Sequence, residues 1–180
     1  MREETVQTTR GHVINFIRTG NAATRPTLFL HGWMDNAHSF LPLATYLQDI
    51  NCYIMDLPGH GKSQHLKSYN LSDHCAITID LITTILSQNP YEKVNIVGHS
   101  LGGVITTLLI SSFPELFAKV VLIESFGPLA EDVANTSQRI RNSLARSSKS
   151  HKSPMYYKTM KECCTARVSV GDISEKAVSI

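Results

Sequence analysis

Residues 93–113 read KVNIVGHSLGGVITTLLISSF, and no other stretch constrains the chain as tightly. Val94, Ile96 and Val97 make a short β-branched run, the pattern of a buried strand. The apolar run behind Gly103 is long enough for a helix, and Pro114 marks its stop. Between the two stands Gly98-His99-Ser100-Leu101-Gly102. A G-x-S-x-G pentapeptide between strand and helix forms a nucleophile elbow, a strained turn that lifts the serine hydroxyl above the sheet edge. Gly98 and Gly102 fall where side chains would collide as strand and helix close on each other. The turn also aims the Leu101 backbone N–H at the place where an oxyanion would form. The competing interpretation is a glycine-rich turn with an incidental serine.

The rest of the N-terminal two thirds alternates short strands with helices. Strands are expected near 12–17, 27–30, 52–55 and 120–123. Residues 39–49 place Phe40, Leu43, Ala44 and Leu47 at helical spacing. Residues 71–86 place Cys75, Ile79, Ile82 and Leu86 on one helical face, with Ser72 as N-cap. This alternation means βαβ units and a parallel sheet covered on both faces. After Gly127-Pro128 the strand signal fades. Val133, Ile140 and Leu144 form a modest apolar stripe in a serine- and arginine-rich segment, read as a helical insertion with a solvated basic face.

A chain of 180 residues suits one core, and a net charge of +2 implies no nucleic-acid partner. Cys52 and Cys75 lie in apolar runs and read as buried thiols. Cys163 and Cys164 are adjacent, and sequence neighbours rarely pair. No Cys/His spacing suggests a metal. The polar start, MREETVQTTRGH, is no signal peptide, no apolar run reaches membrane-spanning length, and the ending AVSI is not a peroxisomal signal; a reducing, cytoplasmic setting is expected.

The elbow, the His31-Gly32 loop and Asp56-Leu57-Pro58-Gly59-His60-Gly61, in this order, resemble the α/β-hydrolase superfamily. HGWMDNAHSF at 31–40 most resembles the serine hydrolase-like proteins, and GDISEKAV at 171–178 resembles their cap helices. The resemblance implies an α/β fold with a mostly parallel sheet flanked by helices. Residues 1–128 would be the N-terminal part of the core and 129–180 part of a helical cap. It also implies hydrolysis of a small-molecule ester or related acyl substrate, without cofactor or metal. Ser100 would be the nucleophile, and Trp33 and Leu101 would offer oxyanion-hole N–H groups. Trp33, His31 and His99 would touch substrate. Serine at position 100 disfavours epoxide hydrolases and haloalkane dehalogenases, which use aspartate there.

One departure matters. The family's acid and histidine come late in the chain, after the last strands, and this sequence reaches neither. His31, His60, His99 and His151 are poor candidates for the base; by the resemblance His31 and His60 look architectural, orienting their loops, and Glu124 is better read as a polar strand end than as the acid. Asp35, Asn36 and Asp56 are read as hydrogen-bonders that fix loops. The expectation is a serine hydrolase represented by a C-terminally incomplete, inactive chain. The alternative is an inactive short form that binds an acyl ligand or a protein. The strand at 120–123 would offer an unpaired edge for self-association.

Overall fold

The computed structural model describes residues 1–67, 69–127, 130, 132–147 and 157–171. Contacts divide the chain into two units, Met1–Pro128 and Leu129–Ile180. In the first, six strands form one sheet: β1 (Arg2–Gln7), β2 (Val13–Thr19), β3 (Pro26–Leu30), β4 (Asn51–Met55), β5 (Val94–His99) and β6 (Phe117–Ile123). Their order is β1-β2-β4-β3-β5-β6. β2 pairs antiparallel with β1 and β4, and the remaining pairs are parallel. The helices of this unit are α1 (Leu41–Ala44), α2 (Leu71–Ser87) and α3 (Leu101–Ser112).

The period of two in the strands divides the core between the two sheet faces. Leu28, Leu30, Tyr53, Met55, Val94 and Ile96 face one cluster with Ile77, Leu81 and Ile85 of α2 and Ile105 and Leu109 of α3. Phe29, Cys52, Ile54 and Val97 face the other, where Ala37, Phe40 and Ala44 close over them. Phe29 and Phe40 meet edge-on at 5.2 Å between ring centroids. Burial raises the Cys52 thiol to about 11, so it is held as an inert thiol.

Several local expectations need correction. Residues 39–49 form only a 3₁₀ turn (Ala37–Phe40) and the single turn of α1. Beyond it the backbone continues in i→i−3 bonds, Tyr46 N–H to Leu43 and Leu47 N–H to Ala44. The Gln48 side-chain amide takes the Ala44 and Thr45 carbonyls, so no longer α-helix propagates. In α2 the N-cap is Asn70, whose side-chain oxygen accepts the Asp73 N–H at 2.8 Å, while the Ser72 hydroxyl donates to that same oxygen. α2 buries Ile77, Leu81, Ile82 and Ile85; of the expected face Ile82 is fully buried, while Cys75, Ile79 and Leu86 are only half-buried beside it. β1 falls within a segment that reads as merely polar. Val6 is its one large apolar residue, and the backbone ladder to β2 holds it.

β6 is longer than its apolar core suggests and lies at the end of the sheet. Val120 and Val121 are 38% and 51% exposed, so the all-apolar run is not buried on both faces.

In the second unit, a 3₁₀ turn capped by Asp132 leads into α4 (Thr136–Ser147), followed by α5 (Met160–Gly171). Val133, Ile140 and Leu144 are all exposed. Thr159 Oγ1 accepts the Glu162 N–H while the Glu162 carboxylate accepts the Lys158 N–H, a reciprocal cap that starts α5. His151, and the 171–178 segment beyond Gly171, lie outside the described residues.

Candidate active site

The register places the site. Leu30 stands opposite Met55 on one side and Gly98 on the other, so His31, Asp56 and His99 emerge level at the carboxyl edge of three adjacent strands. His99 stands opposite Ile123, which brings Glu124 to the same edge. Open α/β sheets bind their ligands at this edge.

Ser100 links β5 to α3 at φ 47°, ψ −112°. That left-handed φ is costly for a residue with a side chain and persists only where its surroundings fix it. Here the Ser100 N–H donates to the Ile123 carbonyl at 3.1 Å, and the Ser100 carbonyl accepts the Val104 N–H at 3.0 Å. The Gly102 N–H donates to the His31 carbonyl at 3.1 Å, tying α3 to the end of β3. The approach is so close that a Cβ on Gly102 would collide with the Leu30 carbonyl, and one on Gly98 would lie 2.5 Å from the Gly102 oxygen. Leu101 is the first residue of α3, so its N–H has no acceptor one turn back within the helix.

The loop after β3 crosses over the elbow. A Cβ on Gly32 would lie 3.4 Å from the Ser100 Cβ and 3.0 Å from His99 Nδ1. Trp33 follows, 63% exposed. The structure thus brings Gly32, Leu101 and His99 around Ser100, with Trp33 next along the same loop.

His31 is not the substrate contact that the resemblance implied; it fits the other reading, a residue that orients loops. It has no exposed surface. Its Nδ1 donates to the Gly32 carbonyl at 2.8 Å, and its Nε2 accepts the Leu57 N–H at 3.0 Å. Burial holds the ring down at about 4, hence neutral. With both nitrogens used inside the protein, His31 pins two loops and does not face a substrate. The His99 ring lies beneath Gly32 with Nε2 3.6 Å from Glu124 Oε2, and Glu124 is at φ 50°. Among the described residues no imidazole hydrogen-bonds the Ser100 hydroxyl.

Asp56 is the hub of the surrounding loops. It is 2% exposed, and its carboxylate accepts from the Ala37 N–H, the Asn15 side-chain amide and the Lys62 N–H. Asp35 accepts the Asn36 N–H, and Asn36 caps the 3₁₀ turn through the His38 N–H. Sequence reasoning missed Asn15 and Ser63 in this network. The Ser63 hydroxyl accepts the Asn15 N–H and donates to the Asp56 carbonyl. The available signal was Asn15 itself, a lone polar residue inside the apolar run VINFI.

Among the described residues no three of His, Cys, Asp and Glu cluster as metal ligands would, and no helix is long and apolar enough to cross a membrane.

The family model of the alpha/beta hydrolase fold matches residues 26–169. The chain is 38% identical over 113 residues to a Drosophila melanogaster protein named "Probable serine hydrolase", covering 61% of this chain and 33% of that one. It is 35% identical over 107 residues to a human "Serine hydrolase-like protein", covering 59% and 52%. Among solved structures, a hypothetical protein of Pseudomonas aeruginosa PAO1 superposes with a TM-score of 0.87 at 28% identity, over 99% of this chain and 64% of that one. The chain therefore spans about a third to a half of the length of these curated relatives. The matched family, the strand order and the elbow between β5 and α3 agree: the chain belongs to the α/β-hydrolase fold family, and its relatives are the serine hydrolase-like proteins.

Proposed function

We propose that Ser100 is the nucleophile of a serine hydrolase acting on carboxylic esters or related acyl substrates. The strained φ of Ser100 beneath the Gly32 loop is the observation that carries this reading. The serine Oγ attacks the acyl carbon, and the carbonyl oxygen becomes an oxyanion accepting from the Leu101 and Trp33 N–H groups. A general base takes the serine proton and returns it to the leaving oxygen as the intermediate collapses, which expels the alcohol and leaves an acyl-enzyme; water then hydrolyses it to the carboxylic acid and free Ser100. The N-terminus of α3 adds a partial positive charge on the same side. The relatives' names, serine hydrolases in fly and human, favour the same chemistry.

The general base and its acid come, in this reading, from sequence beyond Ile180 in a longer protein, and residues 129–180 belong to a helical cap. Residues 1–180 alone would then be nearly inert, since loss of the histidine in a serine hydrolase costs on the order of a millionfold in turnover. Fluorophosphonate labelling tests both halves. Residues 1–180 should label negligibly. A longer product that supplies the acid and histidine should label fast, and Ser100→Ala should abolish it. Fast labelling of residues 1–180 would show that a local group acts as base. Labelling that survives Ser100→Ala would remove Ser100 as the nucleophile.

A further inference from the structure

The loop that carries Trp33 is held from outside the elbow, by the imidazole of His60. Met34 sits at φ 58°, a left-handed conformation that is unfavourable for a residue with a side chain. Its N–H, part of the Trp33–Met34 peptide, donates to His60 Nε2 at 3.3 Å. On the far side of the ring, Nδ1 lies 3.1 Å from the Pro58 carbonyl oxygen. A carbonyl only accepts, so Nδ1 carries the ring hydrogen and Nε2 is left as the acceptor that Met34 needs. The Trp33 ring meets the same imidazole edge-on at 6.0 Å, and His31 meets it at 5.1 Å. One side chain thus touches the Trp33 ring and bonds the peptide that follows it.

We propose that His60 is a positioning residue. Through Nε2 it holds the Trp33–Met34 peptide in its left-handed turn and so sets where the Trp33 N–H and indole stand on the loop that crosses Ser100. The proposal rests on Trp33 serving the oxyanion, but its test reads the loop and not the chemistry. Without an acceptor at Nε2 the Met34 N–H loses its partner, and the left-handed Met34 has nothing to hold it.

Trp33 is the only tryptophan in the chain, so its emission reports this contact without background. Emission is compared at one pH in the wild type, His60→Gln and His60→Ala, with circular dichroism as the check on folding. His60→Gln offers a side-chain carbonyl oxygen to the Met34 N–H in place of Nε2, so it should keep the wild-type emission. His60→Ala offers no acceptor, so its emission should shift. Wild-type emission in His60→Ala, or a shift in His60→Gln as large as that in His60→Ala, overturns the proposal. Ring-nitrogen NMR of the unsubstituted chain gives a second reading: the Nδ1–H tautomer is expected, and the Nε2–H tautomer overturns it. Failure of Ser100 to label would leave these outcomes unchanged, so the two readings fail separately.

Discussion

Asp56→Asn only exchanges one carboxylate oxygen for an NH₂ group of similar size, and should still be among the most damaging single changes to the fold. The carboxylate is 2% exposed and accepts three hydrogen bonds: Oδ1 from the Ala37 N–H at 2.7 Å, and Oδ2 from Asn15 Nδ2 at 2.8 Å and the Lys62 N–H at 3.0 Å. Every partner is a donor. Two are backbone groups that cannot turn round. The Asn15 amide could flip, but its NH₂ also donates to Glu3 Oε1 at 3.2 Å, so a flip would set oxygen against oxygen there. An asparagine at position 56 has one accepting oxygen. Its best placement keeps that oxygen toward Asn15 and Lys62 and turns the NH₂ against the Ala37 N–H. One charge-assisted bond is lost, worth about 1.5–3 kcal/mol, and two buried donors are left facing each other. The two surviving bonds fall from charged to neutral acceptors, roughly half as strong. The sum is a loss of about 3–5 kcal/mol. At about 2–4 °C per kcal/mol for a chain of this size, Tm should fall by roughly 6–20 °C. Urea unfolding of both proteins at equal slope measures the difference directly. A variant within about 0.5 kcal/mol of wild type, the range of an ordinary surface change, would refute the hub.

Three further outcomes are expected. Burial holds His31 at about 4 against an ordinary 6.5, so the unfolded chain takes up its proton at higher pH than the folded one; the stability this provides is complete above pH 6.5 and falls by about 3 kcal/mol as the pH drops toward 4. His74, lowered mainly by burial, adds to the same slope, and urea midpoints of His31→Gln should therefore shift less with pH than those of wild type; identical slopes would sink the assignment. Gly102→Ala, which would gain about 1 kcal/mol in an ordinary helix, should instead destabilise by about 1–3 kcal/mol through collision with the Leu30 carbonyl, and a raised Tm would show that strand and helix do not approach so closely. The β6 edge should make residues 1–180 associate with rising concentration on size exclusion, and Val121→Lys should restore the monomer; co-elution of the two at every concentration would dismiss edge pairing.

What the sequence revealed follows from how local its signals are. Pro26–Leu30, Asn51–Met55 and Val94–His99 announce themselves because both faces of the central sheet are buried and nearly every residue must be apolar. The elbow is legible because its glycines answer a short-range steric demand. Arg2–Gln7 is not legible, since an outer strand held by its ladder needs little apolar surface. The choice of Asn70 over Ser72 as cap depends on where the first turn begins, which two neighbouring capping residues leave open. The burial of His31 and the tasks of Asn15 and His60 depend on contacts across 26 to 48 residues, and no spacing rule carries that distance.

The bond from the Ser100 N–H to the Ile123 carbonyl also imposes an order in time. While the chain is being made, Ser100 appears before the strand that will hold it. Until Ile123 has emerged and β6 has zipped against β5, the acceptor for that N–H does not exist. The nascent turn can relax toward negative φ at no cost. The strained turn at Ser100 is therefore among the last features of this unit to form, and it forms by the docking of a strand that carries none of the residues proposed for the chemistry.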